Sequence, residues 1–358
     1  MIPLNPIPLF FPKTPTLQIL QNYKDLSLAQ QIDYRKHPHH FIHVIEGDHP
    51  LKIWQQFLAQ KAYRQTVSNY YVVNLRSAQE NIWGILGGIS MDAATTKTLY
   101  KHEEIVSSRV ARMRDYLRKI QLQAEPTVVG ASFSDELHEL IKNHSDQTIL
   151  HSFEWEHHQY RLWEAQEPLV HYLRNSAFCE AFLIDGHHRT ACLESLQKQQ
   201  PKNSYQLLSF VIDLKSVQTA SFLWIIRKPQ SSMIHTIKQW PSERLAEKLN
   251  SFTQPQLYCG DQCYFPPGHS KADQLESVYS LFQKHSSQVE YLPNSLLTPE
   301  TMAEFIQSGG ILFGYPKWGI EELCQWSRTG GLLPPKSTYN QPKLCTGLAI
   351  SPLESPIN

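Results

Sequence analysis

Residues 181–196, Ala-Phe-Leu-Ile-Asp-Gly-His-His-Arg-Thr-Ala-Cys-Leu-Glu-Ser-Leu, constrain the fold more than any other stretch, because an apolar run stops abruptly at Asp-Gly-His-His-Arg. Ala181 to Ile184 read as a short buried strand, Gly186 permits the sharp turn out of it, and Thr190 to Gln199 read as a helix. This places His187, His188 and Arg189 at or just before a helix N-terminus, where free backbone N–H groups and the positive dipole end attract an anion. Phosphate suits such a place. Asp185 can hold a metal ion or take a proton, the two histidines can shuttle protons near neutral pH, and Arg189 can fork onto phosphate oxygens. The plainer reading is a turn in which Arg189 pairs with a carboxylate.

The chain of 358 residues is long enough for one large domain or two modest ones. Lys plus Arg balance Asp plus Glu at 33 each, so no overall field recruits nucleic acid or an anionic membrane surface. The opening twelve residues are apolar but broken by prolines and lack a basic leader, and no later apolar run approaches a membrane span. A cytoplasmic location is therefore expected. The six cysteines show no paired spacing beyond Cys259 and Cys263, so free thiols are expected, with neither a disulfide framework nor a four-cysteine zinc site. Of the doubled histidines, His157-His158 is read as the turn of a hairpin.

Taken in order, Gln18 to Gln31 reads as a helix, Phe41 to Ile45 as a strand, and Leu51 to Arg64 as a helix. Glu46, at the end of that strand, is a second-rank candidate base or part of an ordinary turn. Tyr70 to Asn74 and Ile82 to Ser90 look like paired strands. Lys101-His102-Glu103 precedes an amphipathic helix whose stripe of Val106, Val110, Met113, Leu117 and Ile120 belongs to the core. His102, Glu103 and Arg109 are read as a second half-site facing the first, or else as charges that merely cap and decorate that helix. Thr148 to Phe153 and Glu156 to Trp163 alternate like a hairpin, and Pro168 to Phe178 is a helix. Tyr205 to Asp213 and Ala220 to Arg227 are strands; beyond them Ala272 to Ser286, Thr298 to Ser308 and Gly319 to Thr329 are helices, with Gly310 to Tyr315 a strand. Lys336, flanked by the hydroxyls of Ser337 and Thr338, suits a grip on phosphate.

Asp185-Gly186-His187-His188-Arg189 followed by Ala191 resembles the DGHHR signature of the domain of unknown function 1015 family, itself similar to the ParB/sulfiredoxin superfamily. Lys101-His102-Glu103 resembles that family's basic-His-Glu motif. Leu333-Pro-Pro-Lys-Ser-Thr-Tyr339 with Pro342-Lys343 and Gly347-Leu348 resembles its C-terminal MPPKSTYFxPK…GL signature. Two departures accompany the match: the early Pro-Tyr-Asp motif is missing, and Ile226 stands where family members commonly carry a histidine before Arg227.

The resemblance implies an α+β fold: a ParB/sulfiredoxin-like mixed-sheet core over residues 1–240 and a C-terminal α/β segment, 241–358, that carries the Pro-Pro-Lys-Ser-Thr-Tyr motif. It also implies a phosphotransferase, a kinase acting on free L-serine with ATP, ADP or pyrophosphate as donor and Mg2+ bridging phosphate oxygens. In that scheme Glu103 or Asp185 takes the hydroxyl proton, with His102 and His187 beside them. His188 and Arg189 hold the phosphoryl group, and Lys336 with Ser337 clamps substrate. Gly186, Arg109, Arg227, Thr338 and Lys343 complete the phosphate and substrate contacts. The other readings are a phosphatase acting on O-phosphoserine and a nucleotide-binding switch without turnover.

Overall fold

The proline-rich start runs extended, as proline dictates: β1 (Phe10–Pro12) pairs antiparallel with β2 (Tyr63–Gln65). In this computed structural model residues 1–21, 23, 26–244, 252–260, 262–285, 289–293, 305 and 308–353 are described. They divide into two units, the first made of residues 1–101, 105–217 and 342–358, the second of 102–104 and 218–341.

The first unit departs from expectation near its start. No helix spans Gln18 to Gln31; Pro15–Leu17 is a 3-10 turn, and α1 (Leu28–Arg35) begins only where Ser27 and Gln30 form a reciprocal capping box. Phe41 to Ile45 is not a strand. It contributes to α2 (Ile42–Glu46), which packs beside α3 (Pro50–Ala59) with Phe41, Ile42 and Val44 buried. A five-residue apolar run cannot separate helix from strand by period, and packing against α3 decides.

The sheet of this unit follows from runs rich in Val, Ile, Leu and aromatics. β3 (Tyr71–Arg76) and β4 (Asn81–Ser90) pair antiparallel as expected, with Gly84, Gly87 and Gly88 on β4. A Cβ on Gly84 would come 2.6 Å from the Val211 carbonyl oxygen, which explains a glycine in mid-strand. α4 (Ala93–Thr98) leads to the two-residue β5 (Leu99–Tyr100), and α5 (Ser107–Ile120) buries Val110, Leu117 and Ile120 of the anticipated stripe. After β6 (Leu122–Gln123), β7 (Thr127–Ala131) and α6 (Asp135–Lys142), the expected hairpin forms from β8 (His151–Trp155) and β9 (His158–Glu164). α7 (Glu167–Asn175), β10 (Ala181–Asp185), α8 (His187–Gln199) and β11 (Gln206–Asp213) follow.

Eight strands form one sheet in the order β5-β10-β7-β11-β4-β3-β9-β8. It is mixed: β10 runs parallel to β5 and antiparallel to β7, while β11 runs parallel to β7. With helices packed on it, this is the expected α+β architecture. β10 carries a register shift between Leu183 and Asp185, so the strand bends where the polar signature begins.

The second unit starts with β12 (Gln218–Ala220) and β13 (Phe222–Ile226), two strands where one was expected. α9 (Ser231–Ile237), β14 (Ser242–Arg244), β15 (Gln256–Cys259), β16 (Gln262–Tyr264), α10 (Lys271–His285), β17 (Glu290–Pro293), β18 (Ile311–Gly314), α11 (Ile320–Arg328) and β19 (Tyr339–Gln341) follow. Its main sheet has the order β14-β16-β15-β18-β13-β17, and β12 pairs with β19. The boundary lies after Val217 instead of residue 240, because β13 is the inner strand between β18 and β17 and α9 buries Met233 and Ile237 in the same core. The chain's last stretch belongs to the first unit, where β20 (Ser351–Pro352) pairs with β6. The helix expected over Thr298 to Ser308 falls almost wholly outside the described residues.

Candidate functional site

β10 delivers Asp185, and Gly186 turns the chain in a left-handed conformation (φ 105°) straight into α8, which starts at His187, three residues earlier than the apolar pattern indicates. A side chain is excluded at Gly186 twice over: its φ is strained for an L residue, and a Cβ would lie 2.9 Å from Thr127 Oγ1. Because the N-cap is glycine, it has no side chain to cap α8, and the positive end of the helix dipole faces the turn.

Four charges meet at this turn. Arg189 Nη1 lies 2.7 Å from Glu125 Oε1, Arg189 Nη2 donates to Asp185 Oδ2 at 2.7 Å, and Lys343 Nζ lies 3.1 Å from Asp185 Oδ1. Two carboxylates and two cations balance. Desolvation pulls the Arg189 pKa down, but the charges and hydrogen bonds of Glu125 and Asp185 outweigh it, so the net shift is upward. Arg189 thus spends both terminal nitrogens on carboxylates, and its contact with Asp185 spans one helical turn. His187 is buried, and His188 Nε2 accepts the Val106 N–H at 3.0 Å, which fixes the ring as the neutral Nδ1–H form. Val106 is the N-cap of α5, so His188 supplies the cap that no side chain of α5 provides. Arg109, in the first turn of α5, is half-buried and its side chain makes no hydrogen bond or ion pair among the described residues. Lys101 belongs to this unit as well, paired with Glu194 of α8 at 2.5 Å.

The other motif residues lie in the second unit and form their own cluster. Glu103 bridges to Leu333 in parallel fashion, with Leu333 N–H donating to the His102 carbonyl and Glu104 N–H to the Leu333 carbonyl, each at 2.8 Å. That pairing sets Glu103 Oε2 to accept both the backbone N–H and the hydroxyl of Thr338, each at 3.2 Å. His102 Nε2 donates to the same hydroxyl oxygen at 2.9 Å. Burial drives the Glu103 pKa upward; the backbone N–H groups of Lys336 and Thr338, the Lys336 charge and the Thr338 hydroxyl pull against it without cancelling it. Lys336 holds a left-handed backbone (φ 67°), and its carbonyl accepts from Trp224 Nε1 at 2.9 Å. Its ammonium stands 5.2 Å from the Phe222 ring centre. Ser337 is fully buried and donates its hydroxyl to the Pro334 carbonyl at 2.7 Å, so the loop itself uses that group. Arg227 is exposed, forks onto Glu290 at 2.8 and 2.9 Å, and packs over Phe305. Ile226 is buried in the core of this unit.

Three neighbours of the turn were not singled out from the sequence. Glu125 has no motif around it, only its place ahead of β7. Thr127 and Thr190 are completely buried, and their hydroxyls lack a hydrogen-bond partner among the described residues. Thr190, directly after the signature arginine, was the more accessible inference. No group of three or more His, Cys, Asp or Glu residues able to hold a metal occurs among the described residues. Glu46 serves structurally, receiving the Arg35 guanidinium at 2.6 and 2.7 Å and the Tyr23 hydroxyl at 2.8 Å.

Residues 18–216 match the family model described as a protein of unknown function, DUF1015, over more than half the chain. The chain belongs to that family. No curated protein sequence matches this DUF1015 member. Among solved structures, it is similar to C-terminally truncated SbnI from Staphylococcus aureus (TM-score 0.46, 12% identity, 76% of this chain and 87% of that one). It is also similar to a free serine kinase in complex with AMP (TM-score 0.45, 12% identity, 74% and 92%). A third is a conserved hypothetical protein from Pyrococcus furiosus (TM-score 0.44, 13% identity, 74% and 95%). Among the described residues no helix is long and apolar enough to cross a membrane.

Proposed function

We propose that this DUF1015 member is a phosphotransferase acting on a small hydroxy amino acid, with free L-serine as acceptor and ATP, ADP or pyrophosphate as donor. The observation that carries the reading is the Gly186 turn: a glycine N-cap opening a 13-residue helix, with Arg189 and Lys343 beside it. Phosphoryl transfer asks mostly for positioning and charge neutralisation, and backbone N–H groups plus fixed cations supply both. Lys343 neutralises phosphate charge, while Arg189 positions Asp185 and Glu125.

Of the two candidate bases, Glu103 is the better. Its raised pKa makes it a stronger proton acceptor, whereas both oxygens of Asp185 already face cations. Within the second unit Glu103 is the group suited to take a hydroxyl proton, with His102 and Thr338 orienting its carboxylate. Lys336 is assigned to the substrate carboxylate or phosphate. A magnesium ion would come with the donor's phosphate oxygens and would need only one or two protein carboxylates; Asp185 would reach it only by giving up a contact with Lys343 or Arg189.

The test is phosphorus NMR of the purified protein with magnesium and L-serine, with ATP, ADP and pyrophosphate in separate tubes and O-phosphoserine alone in a fourth. A phosphoserine resonance in one of the first three names reaction and donor. Release of phosphate only in the fourth selects a phosphatase, and four unchanged spectra sink serine chemistry.

A further inference from the structure

The first unit contains a half-open cleft of about 270 Å³ where the start of α6 meets the end of α7. β7 and β10 run antiparallel with Ala131 opposite Ala181 and Val128 opposite Asp185. The cleft residues 132, 134 and 176–180 continue the two strands beyond the Ala131–Ala181 end, away from the Gly186 turn. Four strand steps, ~13 Å, separate Ala181 from Asp185.

The apolar side of the cleft follows from how α7 ends. Its C-cap Ser176 is extended (φ −123°, ψ 157°), and residues 176–180 run on without a helical turn. Phe178 is fixed there by two backbone hydrogen bonds with Ile2, at 2.8 and 2.9 Å, and Leu4 of the same N-terminal arm lines the cleft with it. Leu137 of α6 and Leu173 of α7, both buried, complete the wall.

The polar side holds a hydroxyl pair. Ser134 Oγ and Tyr172 Oη lie 2.9 Å apart, and Ser134 Oγ also accepts the Leu137 N–H at 3.1 Å as the N-cap of α6. If Tyr172 donates to Ser134, the serine keeps its O–H proton and the tyrosine oxygen keeps its lone pairs. If Ser134 donates, Tyr172 keeps its proton and a lone pair. In either arrangement one O–H proton and one acceptor position on Tyr172 stay unspent among the described residues. A hydroxyl answers both through a single atom, whereas a methyl group of the same size answers neither and leaves them unpaired against an apolar guest.

The volume falls below the ~300–1,000 Å³ of sites for drug-sized ligands, so the guest is small. We infer that the cleft binds a hydroxylated hydrocarbon the size of phenol, its hydroxyl on the Ser134–Tyr172 pair and its hydrocarbon against Leu173 and Phe178.

The cleft contains its own reporter. Cys179 lines it and is exposed, whereas Cys192, Cys263, Cys324 and Cys345 are buried and Cys259 is half-buried. Iodoacetamide alkylation of Cys179 in the full chain, followed by mass spectrometry, is titrated with phenol and with toluene, which exchanges the hydroxyl for a methyl group of nearly the same volume. Phenol is expected to slow alkylation about fivefold or more at saturation and to bind no more weakly than toluene, although toluene leaves water the more readily. Tyr172→Phe keeps the ring and removes the oxygen; it should shift the ratio of phenol to toluene affinity about tenfold toward toluene, the worth of the lost hydrogen bond. Absence of protection by phenol, or tighter binding of toluene by the unsubstituted protein, overturns the inference, as does an unshifted ratio in folded Tyr172→Phe. The comparison in the unsubstituted protein decides even if the variant misfolds.

Discussion

Glu103 Oε2 receives two hydrogen bonds from Thr338, one from the backbone N–H and one from the hydroxyl, across 235 positions of sequence. The pair ties the basic-His-Glu motif to the Lys-Ser-Thr-Tyr motif inside one unit. Both donors converge on one oxygen of a buried carboxylate whose pKa is raised.

Glu103→Gln therefore separates stability from activity. With the folded pKa raised above the ordinary value of 4.5, the folded state binds the proton more tightly than the unfolded chain. The associated stability is complete below pH 4.5 and is lost as pH rises through the folded value. At neutral pH the buried carboxyl with its raised pKa is a cost that glutamine removes, while its amide oxygen still serves Thr338. We expect Glu103→Gln to melt about 2–4 °C higher at pH 7, about 1 kcal/mol, with no gain near pH 4. Phosphoserine formation should fall by about 10²–10⁴. Parallel melting curves and turnover at the two pH values check this; a lower melting temperature at pH 7 contradicts it.

Arg189 is held by two carboxylates from different elements, and an ammonium has no fork to reach both. Arg189→Lys should cost ~2 kcal/mol, and Arg189→Ala ~3–5 kcal/mol, because Glu125 then loses its cation and Asp185 keeps only Lys343. Urea unfolding midpoints measure both. An unchanged midpoint for the lysine variant would mean that the two contacts are not made together in solution. Arg227 is the contrast: its pair with Glu290 is exposed, so Arg227→Ala should change stability by under about 1 kcal/mol.

Much of this architecture was legible because local chemistry and packing agree. The apolar stripe of α5, the β3–β4 pair and the β8–β9 hairpin all follow from period and turn residues, and the strand, glycine and helix around Asp185 follow from residue type alone. Phe41 to Ile45 misleads because β-branched residues in a run of five fit a buried helical turn equally well. The site was legible only where it is contiguous. Lys343 meets Asp185 and Thr338 meets Glu103 through long-range closure that no spacing encodes, and Glu125 acts only because β7 and α8 bring it to Arg189. Ser337, from its hydroxyl beside Lys336, and Arg227, from the family resemblance, are expected to contact phosphate or substrate, while the former is hydrogen-bonded within its loop and the latter lies on a surface carboxylate.

Thr127 is completely buried in the first position of β7, and its hydroxyl has no partner among the described residues. Replacing a buried, unsatisfied hydroxyl by a methyl group of the same shape removes a desolvation cost, and valine suits a strand. Thr127→Val should raise the urea midpoint by an amount worth about 1 kcal/mol. A drop instead would show that the hydroxyl has a partner worth keeping, such as an ordered water or a bound anion at the Gly186 turn.

His40 gives the protein an acid limit that can be traced to one ring. It is buried, stacked on Tyr34 at 4.3 Å, and its Nδ1 accepts the Ile42 N–H at 3.2 Å. Burial lowers its pKa from 6.5 to about 4, His37 and His43 push the same way, and the Ile19 backbone and Asp33 oppose them. The unfolded chain therefore takes up a proton at His40 before the folded one does. Stability is complete above pH 6.5 and declines as pH falls from there to about 4, by at most ~3 kcal/mol for this group. His144 and His151 are also lowered by burial and add to the slope, so the measurement must isolate His40. His40→Asn retains an acceptor near Nδ1 without a titrating ring. Its unfolding free energy should be below that of the unsubstituted protein at pH 7.5, from the lost stack, and the two should converge between pH 6.5 and 4. Parallel curves across that window would place the acid sensitivity elsewhere.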